Sequence, residues 1–371
     1  MIAGLNLLYM LPGVVGGTET YAAGLVHGLS LTDEDAEFRI YLNRESADWP
    51  LPSDPRFRRV VCPVQATSRL ARYWHEQRRL PTRVALDGVD LLHSLGYVAP
   101  LRLSCPSVLT VPDVHQLAYG RPAEWPRRLV VGEFVRRSVR SAAAVITISQ
   151  FARAAVAQAY GLRVEAINVV LLAPKPRLHR VGPPVASSSV RLPKSYVVAF
   201  GSVTPNKNLP RLLDAFEMAR TRFGLRHDLV LVGRLPGELR TAGRPGIVVT
   251  GYLEDEAVAI VLAGAEALVF PSIYEGFGLP VLEAMAAGVP VVCSNATAVP
   301  EVAGEAAVYF DPLDAGDMAA ALARVCADPL LRADLRARGC ARAATFGWER
   351  VAHETLAIYR RVLGGEAATA R

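Results

Sequence analysis

The sequence predicts an α/β protein of two domains, each built on a parallel sheet. Three observations predict it. Short apolar stretches of strand length alternate with stretches of helical periodicity along nearly the whole chain, the pattern of strand–helix–strand units. A segment rich in proline and serine, from Ala173 to Lys194, interrupts that alternation near the middle of the chain. A length of 371 residues with a hydrophobic share of 51% is enough for two cores. The expected division is a first domain over 1–178, a linker over 179–194 and a second domain over 195–347.

Taken in order, Ile2 to Tyr9 is an apolar strand, and the Leu11–Glu19 stretch behind it is a glycine loop containing Gly16 and Gly17. The loop lacks the G-x-G-x-x-G spacing of a dinucleotide site. Thr20 to Leu29 has helical periodicity, with Tyr21, Leu25 and Leu29 on one face. Strands are expected at Phe38–Leu42, Phe57–Cys62, from Val89 into the polar loop at His93 and Ser94, and at Ser107–Val111, which leads to Asp113 and His115. Ser141 to Ser149 reads as a strand, with Ser149 capping the next helix.

In the second domain Tyr196–Phe200 is a strand, Gly201 to Asn208 its loop with Ser202 and Lys207, and Leu209–Arg220 a helix. Asp228–Val232 ends in Gly233 and Arg234, and Gly246–Gly251 ends in Tyr252 and Leu253. Helix Glu254–Ala263 precedes the most informative stretch. There a strand, Ala267–Pro271, feeds the turn Ser272–Gly278. A helix with Pro280 near its start runs to Gly288, and a second strand, Val289–Cys293, follows. A last strand, Ala306–Phe310, leads through Asp314 into a helix from Ala315. Trp348–Val362 is amphipathic, with Val351, Leu356, Tyr359 and Val362 as its stripe.

A strand running through a glycine turn into a helix presents backbone N–H groups at the positive end of the helix dipole, a place for phosphate. Glu275 and Glu283 flank that turn with seven residues between them. Carboxylates repel phosphate, so they fit hydroxyl groups on either side of it. A nucleotide sugar has that layout: a sugar, a diphosphate and a ribose.

The run Glu275-Gly276-Phe277-Gly278-Leu279-Pro280-Val281-Leu282-Glu283, continued through Gly288, Pro300, Glu301 and Gly304, resembles the E-x7-E signature of the fourth family of retaining glycosyltransferases, which have the GT-B fold. The resemblance implies two Rossmann-like domains with parallel sheets facing across a cleft, and a C-terminal helix, 348–371, that crosses back to complete the first domain. It implies a donor site made by Ser202, Lys207, Arg234, Tyr252, Leu253, Glu275–Leu279 and Glu283, with Gly16 and Gly17 lying against donor phosphates and acceptor. Lys207 would hold the diphosphate, Glu275 the sugar hydroxyls and Glu283 the ribose. His93, Asp113 and His115 would face the sugar as the catalytic candidates of the first domain. The family pattern has histidine where this chain has Pro112 and arginine where it has Ser202, which leaves the first-domain catalytic group open.

The implied reaction is metal-independent hexosyl transfer from a nucleotide diphosphate sugar, GDP-mannose type before UDP-hexose, with no cofactor. The acceptor would be a hydroxyl of a saccharide, a lipid-linked saccharide or a natural product. The likeness is greatest to bacterial mannosyl- and rhamnosyltransferases of polysaccharide assembly. Rival readings are a catalytically silent GT-B partner protein and a nucleotide-sugar epimerase.

Composition bounds the rest. No apolar run reaches the roughly 18–20 residues of a membrane span, and the first ten residues lack the basic region of a signal peptide. Five scattered cysteines read as free thiols of a reducing cytoplasm. The net charge of +6 is spread widely, with two locally basic helices, Arg69–Arg79 and the one carrying Arg127, Arg128, Arg136, Arg137 and Arg140. These basic faces suit peripheral contact with the inner face of an anionic membrane. No nucleic-acid module is present.

Overall fold

Strands apolar on both faces need helices on both sides, which is how parallel sheets bury themselves. The computed structural model shows this twice. It describes residues 1–33, 35–114, 125–175, 191–202, 204–235, 237 and 244–365. His115 and residues 179–190 of the expected linker lie outside the described residues, as do the side chains of Arg127 and Arg128. The chain divides into two compact units, Met1–Leu172 with Gly347–Arg371, and Ala173–Phe346.

The first unit runs β1 (Ile2–Asn6), α1 (Gly17–Ser30), β2 (Glu37–Leu42), β3 (Phe57–Val61), α2 (Arg69–Arg78), α3 (Leu80–Leu86), β4 (Leu91–Ser94), β5 (Ser107–Thr110), α4 (Trp125–Ser141), β6 (Ala144–Thr147), α5 (Gln150–Tyr160) and β7 (Ile167–Val169). Its seven strands are ordered β3-β2-β1-β4-β5-β6-β7, and each neighbouring pair is parallel. The second unit runs β8 (Tyr196–Phe200), α6 (Leu209–Phe223), β9 (Asp228–Val232), β10 (Ile247–Gly251), α7 (Asp255–Ala263), β11 (Ala267–Phe270), α8 (Leu279–Ala286), β12 (Val291–Ser294), α9 (Val299–Ala303), β13 (Ala307–Phe310), α10 (Ala315–Ala327) and α11 (Pro329–Ala343). Its order is β10-β9-β8-β11-β12-β13. Helix α12 (Trp348–Leu363) belongs to the first unit. Among the described residues no helix is long and apolar enough to cross a membrane.

Local chemistry accounts for the helix ends. Ser149 accepts the Ala152 amide at 2.9 Å and Asp314 accepts those of Gly316 and Asp317 at 2.7 and 3.1 Å, so α5 and α10 start with side-chain caps. Helix α1 begins at Gly17, three residues before the periodic stretch, because polar Thr18 and Glu19 carry no apolar signal. Helix α11 was not expected; Asp328 caps it and Pro329 takes its first position.

Helix α12 reaches the first unit by close approach to α1. A Cβ on Gly24 would lie 2.1 Å from the Trp348 indole, and one on Gly28 would lie 2.1 Å from the Trp348 carbonyl oxygen. Val351, Leu356, Tyr359 and Val362 are buried there, each worth about 1.5–3 kcal/mol if fully removed from water. A carbonyl cannot rotate away as a side chain can. Gly28→Ala is therefore expected to destabilise the full-length protein by about 2 kcal/mol. A melting temperature equal to wild type would contradict this packing.

Candidate active site

In open parallel sheets ligands bind beyond the carboxyl ends of the strands, where the strand order reverses. In the second sheet that point lies between β8 and β11. The segments leaving those two strands are sewn together. Ile273 donates its amide to the Asn206 carbonyl at 2.9 Å. Asn206 Nδ2 donates to the Tyr274 carbonyl at 3.0 Å, and Asn208 Nδ2 to the carbonyls of Pro271 and Pro312 at 3.1 and 2.7 Å. Asn208 does this from a left-handed backbone, φ 56°, which asparagine tolerates.

The result is an ion pair. Lys207 Nζ stands 2.6 Å from Glu275 Oε1 across 68 residues of sequence, with 22% and 14% of the two side chains exposed. The ammonium also lies 5.3 Å from the centre of the Phe270 ring. The two groups expected to hold different parts of a ligand hold each other. Glu275 is anchored from behind as well, its amide donating to Thr297 Oγ1 at 3.1 Å.

The remaining second-unit candidates are spread along this sheet edge. Gly201 follows β8 and Gly233 follows β9, and a Cβ on Gly233 would lie 2.6 Å from the Gly201 carbonyl, so only glycine lets the two turns touch. Arg234 is exposed, with its carbonyl oxygen 3.7 Å from where a Gly201 Cβ would stand. The Ser202 hydroxyl meets Thr204 Oγ1 at 3.0 Å. Tyr252 is exposed rather than in the core, and Leu253 is half-buried; both follow β10, the edge strand. Gly276 and Phe277 are buried, and the Phe277 ring packs edge-on against Phe346 at 6.2 Å. Gly278, at φ 111°, turns the chain into α8, which Leu279 opens.

Glu283 lies one turn into α8. Burial pushes its carboxyl up to about 7; Lys175 counteracts this and Asp255 adds to it. Lys175 is itself bonded to Asp255 at 2.8 Å.

In the first unit the outcome differs. Asp113 follows β5, half-buried, and accepts a hydrogen bond from Tyr97 Oη at 3.0 Å. Gly16 and Gly17 are exposed where α1 begins, and Glu19 ties the loop by accepting the Gly13 amide at 2.9 Å. His93 is a correction. It is fully buried, with Nδ1 2.6 Å from Tyr359 Oη and Nε2 2.8 Å from Thr110 Oγ1, which in turn meets Tyr21 Oη at 3.1 Å. Burial pushes its pKa down to about 3. A neutral imidazole with both nitrogens engaged is a core group that links β4, β5, α1 and α12; it does not face a sugar.

Sequence reasoning missed Asn206, Asn208 and Thr297. The two asparagines beside Lys207 were visible as turn formers, but not their distant partners. Among the described residues no three His, Cys, Asp or Glu side chains gather as metal ligands.

Comparison with known proteins agrees with this architecture. The profile of Glycosyltransferase Family 4 matches residues 15–171, and that of Glycosyl transferases group 1 matches residues 194–328. The chain is 32% identical over 266 residues to O-antigen chain mannosyltransferase B of Escherichia coli, covering 68% of each protein. It is 32% identical over 296 residues to the MMP alpha-(1->4)-mannosyltransferase of Mycolicibacterium hassiacum, covering 74% of this chain and 69% of the relative. Among solved structures it is similar to sucrose-phosphate synthase from Thermosynechococcus elongatus, with a TM-score of 0.75 at 21% identity over 98% of this chain and 99% of the other. The chain belongs to glycosyltransferase family 4 and is a GT-B glycosyltransferase.

Proposed function

We propose that the protein is a retaining, metal-independent hexosyltransferase that uses a nucleotide diphosphate sugar, with a GDP-mannose-type donor favoured and UDP-hexose next. The observation that carries the reading is the meeting of Lys207 and Glu275 at the strand-order reversal of the second sheet. A cation there serves a diphosphate, and a carboxylate serves sugar hydroxyls. Mannosyltransferase relatives support the choice of sugar.

Donor binding exchanges partners. The diphosphate draws Lys207 away from Glu275, and the freed carboxylate accepts hydroxyl protons of the sugar. Lys207, Arg234 and the amides of Phe277 to Leu279 take up the charge of the departing diphosphate, the kind of preorganised stabilisation that is usually the largest catalytic contribution. Glu283 takes the ribose, while Tyr252 and Leu253 border the base. The acceptor hydroxyl attacks on the face the diphosphate leaves, and its proton passes to the departing phosphate. Gly16, Gly17 and Asp113 serve the acceptor on the first unit.

The acceptor is a saccharide hydroxyl, and a membrane surface is the place to meet a lipid-linked one. Helices α2 and α3 support that contact. Trp74, Arg78, Arg79, Thr82, Arg83 and Leu86 line a groove of about 510 Å³, and Leu70, Trp74 and Leu86 are exposed beside the arginines. Arg83 is paired with Asp87 at 2.8 Å, and on α4 Arg136 and Arg137 are both paired with Glu133, so Arg78 and Arg79 are the arginines that carry this contact.

Calorimetric titration with GDP, UDP, ADP and dTDP, without added metal, tests the reading. Tight binding of one nucleotide is expected, and binding of none would overturn it. Glu283 adds a pH signature. Ribose hydroxyls donating to its carboxylate favour the ionised form, so binding releases a proton and tightens as pH rises through 7. Glu283→Ala is expected to weaken the nucleotide by about 10–100-fold, the worth of hydrogen bonds to a charged group, and to leave only the pH dependence of the nucleotide's own terminal phosphate, which titrates at about 6. A variant that binds like wild type at every pH would take Glu283 out of the site.

A further inference from the structure

Glu275 owes its position to a third segment, the turn that leaves β12. Thr297 in that turn has φ 58°. A β-branched residue in the left-handed region is a genuine outlier, and such strain persists where the surroundings over-determine it, above all at functional sites. Here the turn is fixed on either side. Asn295 donates its amide to the Phe310 carbonyl at 3.0 Å, Ala296 donates to Ser294 Oγ at 3.0 Å, and Ala298 is fully buried. What the strained backbone delivers is one oxygen: Thr297 Oγ1 accepts the Glu275 amide at 3.1 Å.

We propose that Thr297 is a positioning residue of the donor site, its hydroxyl clamping the Glu275 amide and so setting where the carboxylate stands when Lys207 leaves it for the diphosphate. Threonine suits this in a way glycine does not. Glycine would relieve the backbone at no steric cost, yet it would leave the amide without this acceptor. The proposal rests on the reading of Glu275 as the sugar-binding carboxylate.

Three variants separate the hydroxyl from the strain. Thr297→Ala removes the acceptor, Thr297→Ser keeps it, and Thr297→Gly removes both acceptor and strain. Hydrolysis of GDP-mannose, with water standing in for the acceptor, gives kcat, and hydrogen exchange reports the Glu275 amide directly. Misplacing a reacting-site group by about 1 Å can cost about 100-fold in rate, so Thr297→Ala and Thr297→Gly are expected to lower kcat by at least about tenfold, while GDP affinity stays within about twofold of wild type. Thr297→Ser restores kcat. Thr297→Gly melts no lower than wild type, which removes loss of fold as the cause. The Glu275 amide exchanges about tenfold faster in the alanine and glycine variants and at the wild-type rate in the serine variant, as loss of its one described acceptor requires. Wild-type kcat and wild-type amide protection in Thr297→Ala would overturn the proposal. If the wild-type protein turns over no nucleotide sugar, the donor reading fails, and the exchange measurement alone still decides whether Thr297 holds Glu275.

Discussion

Lys207→Ala lowers turnover by about 100–1,000-fold, the usual cost of removing one preorganised donor aimed at developing charge, and does so without unfolding the protein. The loss belongs to the transition state. In the resting site Lys207 faces Glu275 and the Phe270 ring, in a pair whose members keep 22% and 14% exposure; both carboxylate and ammonium retain contact with water, so the loss of stability stays at about 1–2 kcal/mol, above that of a fully exposed pair. The neighbouring asparagines carry the architecture instead, since Asn206 and Asn208 hold the 271–275 segment through the carbonyls of Tyr274 and Pro271, and Asn208 also ties that of Pro312. A melting temperature lowered by only a few degrees, about 2–4 °C per kcal/mol, with collapsed kcat is therefore expected. Lys207→Arg recovers only part of the rate, because a planar fork replaces a compact point charge. Steady-state kinetics and a melt on the same preparations test this together. Full turnover in Lys207→Ala would move the diphosphate elsewhere and undo the partner exchange.

Much of this was legible in the sequence, and the reasons are local. Alternating apolar and periodic stretches foretold both parallel sheets, and the run from Glu275 to Glu283 carried its own glycines, proline and carboxylates, so the β11–α8 turn could be read without tertiary knowledge. Lys207 stood out by its place in a polar loop after β8. What escaped depends on partners far away in sequence. His93 reads equally well as a polar group at a strand end and as a core group; Tyr359, 266 residues away, decides for the core. The Lys207–Glu275 bond spans 68 residues and depends on strand order, which a residue pattern does not state. Thr297 gives no signal at all, because nothing about a threonine announces a left-handed backbone. Glu76 was hidden in a different way, as one acid within a basic helix.

Glu76→Gln raises stability at pH 8 by about 3 kcal/mol and leaves it unchanged near pH 4.5. Glu76 is 3% exposed on α2, and among the described residues its Oε2 has no hydrogen-bond partner. Burial raises the carboxyl from 4.5 to about 7, against the opposing pull of Arg72 and of the Asn6 side chain. The sign follows from which state holds the proton. Between pH 4.5 and 7 the unfolded chain has released it and the folded one has kept it, so stability falls as pH rises through this window and is level above it. A tenfold difference in proton affinity is worth about 1.4 kcal/mol, which sets the size at about 3 kcal/mol. An amide is neutral throughout and escapes the penalty. Glu283, raised to about 7 in the second unit, adds a similar slope that the Glu76 variant retains, so the variant flattens the wild-type curve without levelling it. Denaturant unfolding at pH 5 and pH 8 measures the difference. Parallel curves for Glu76→Gln and wild type would show that the carboxyl ionises as freely in the folded protein as in the unfolded chain, and that Asn6 and Arg72 compensate its burial in full.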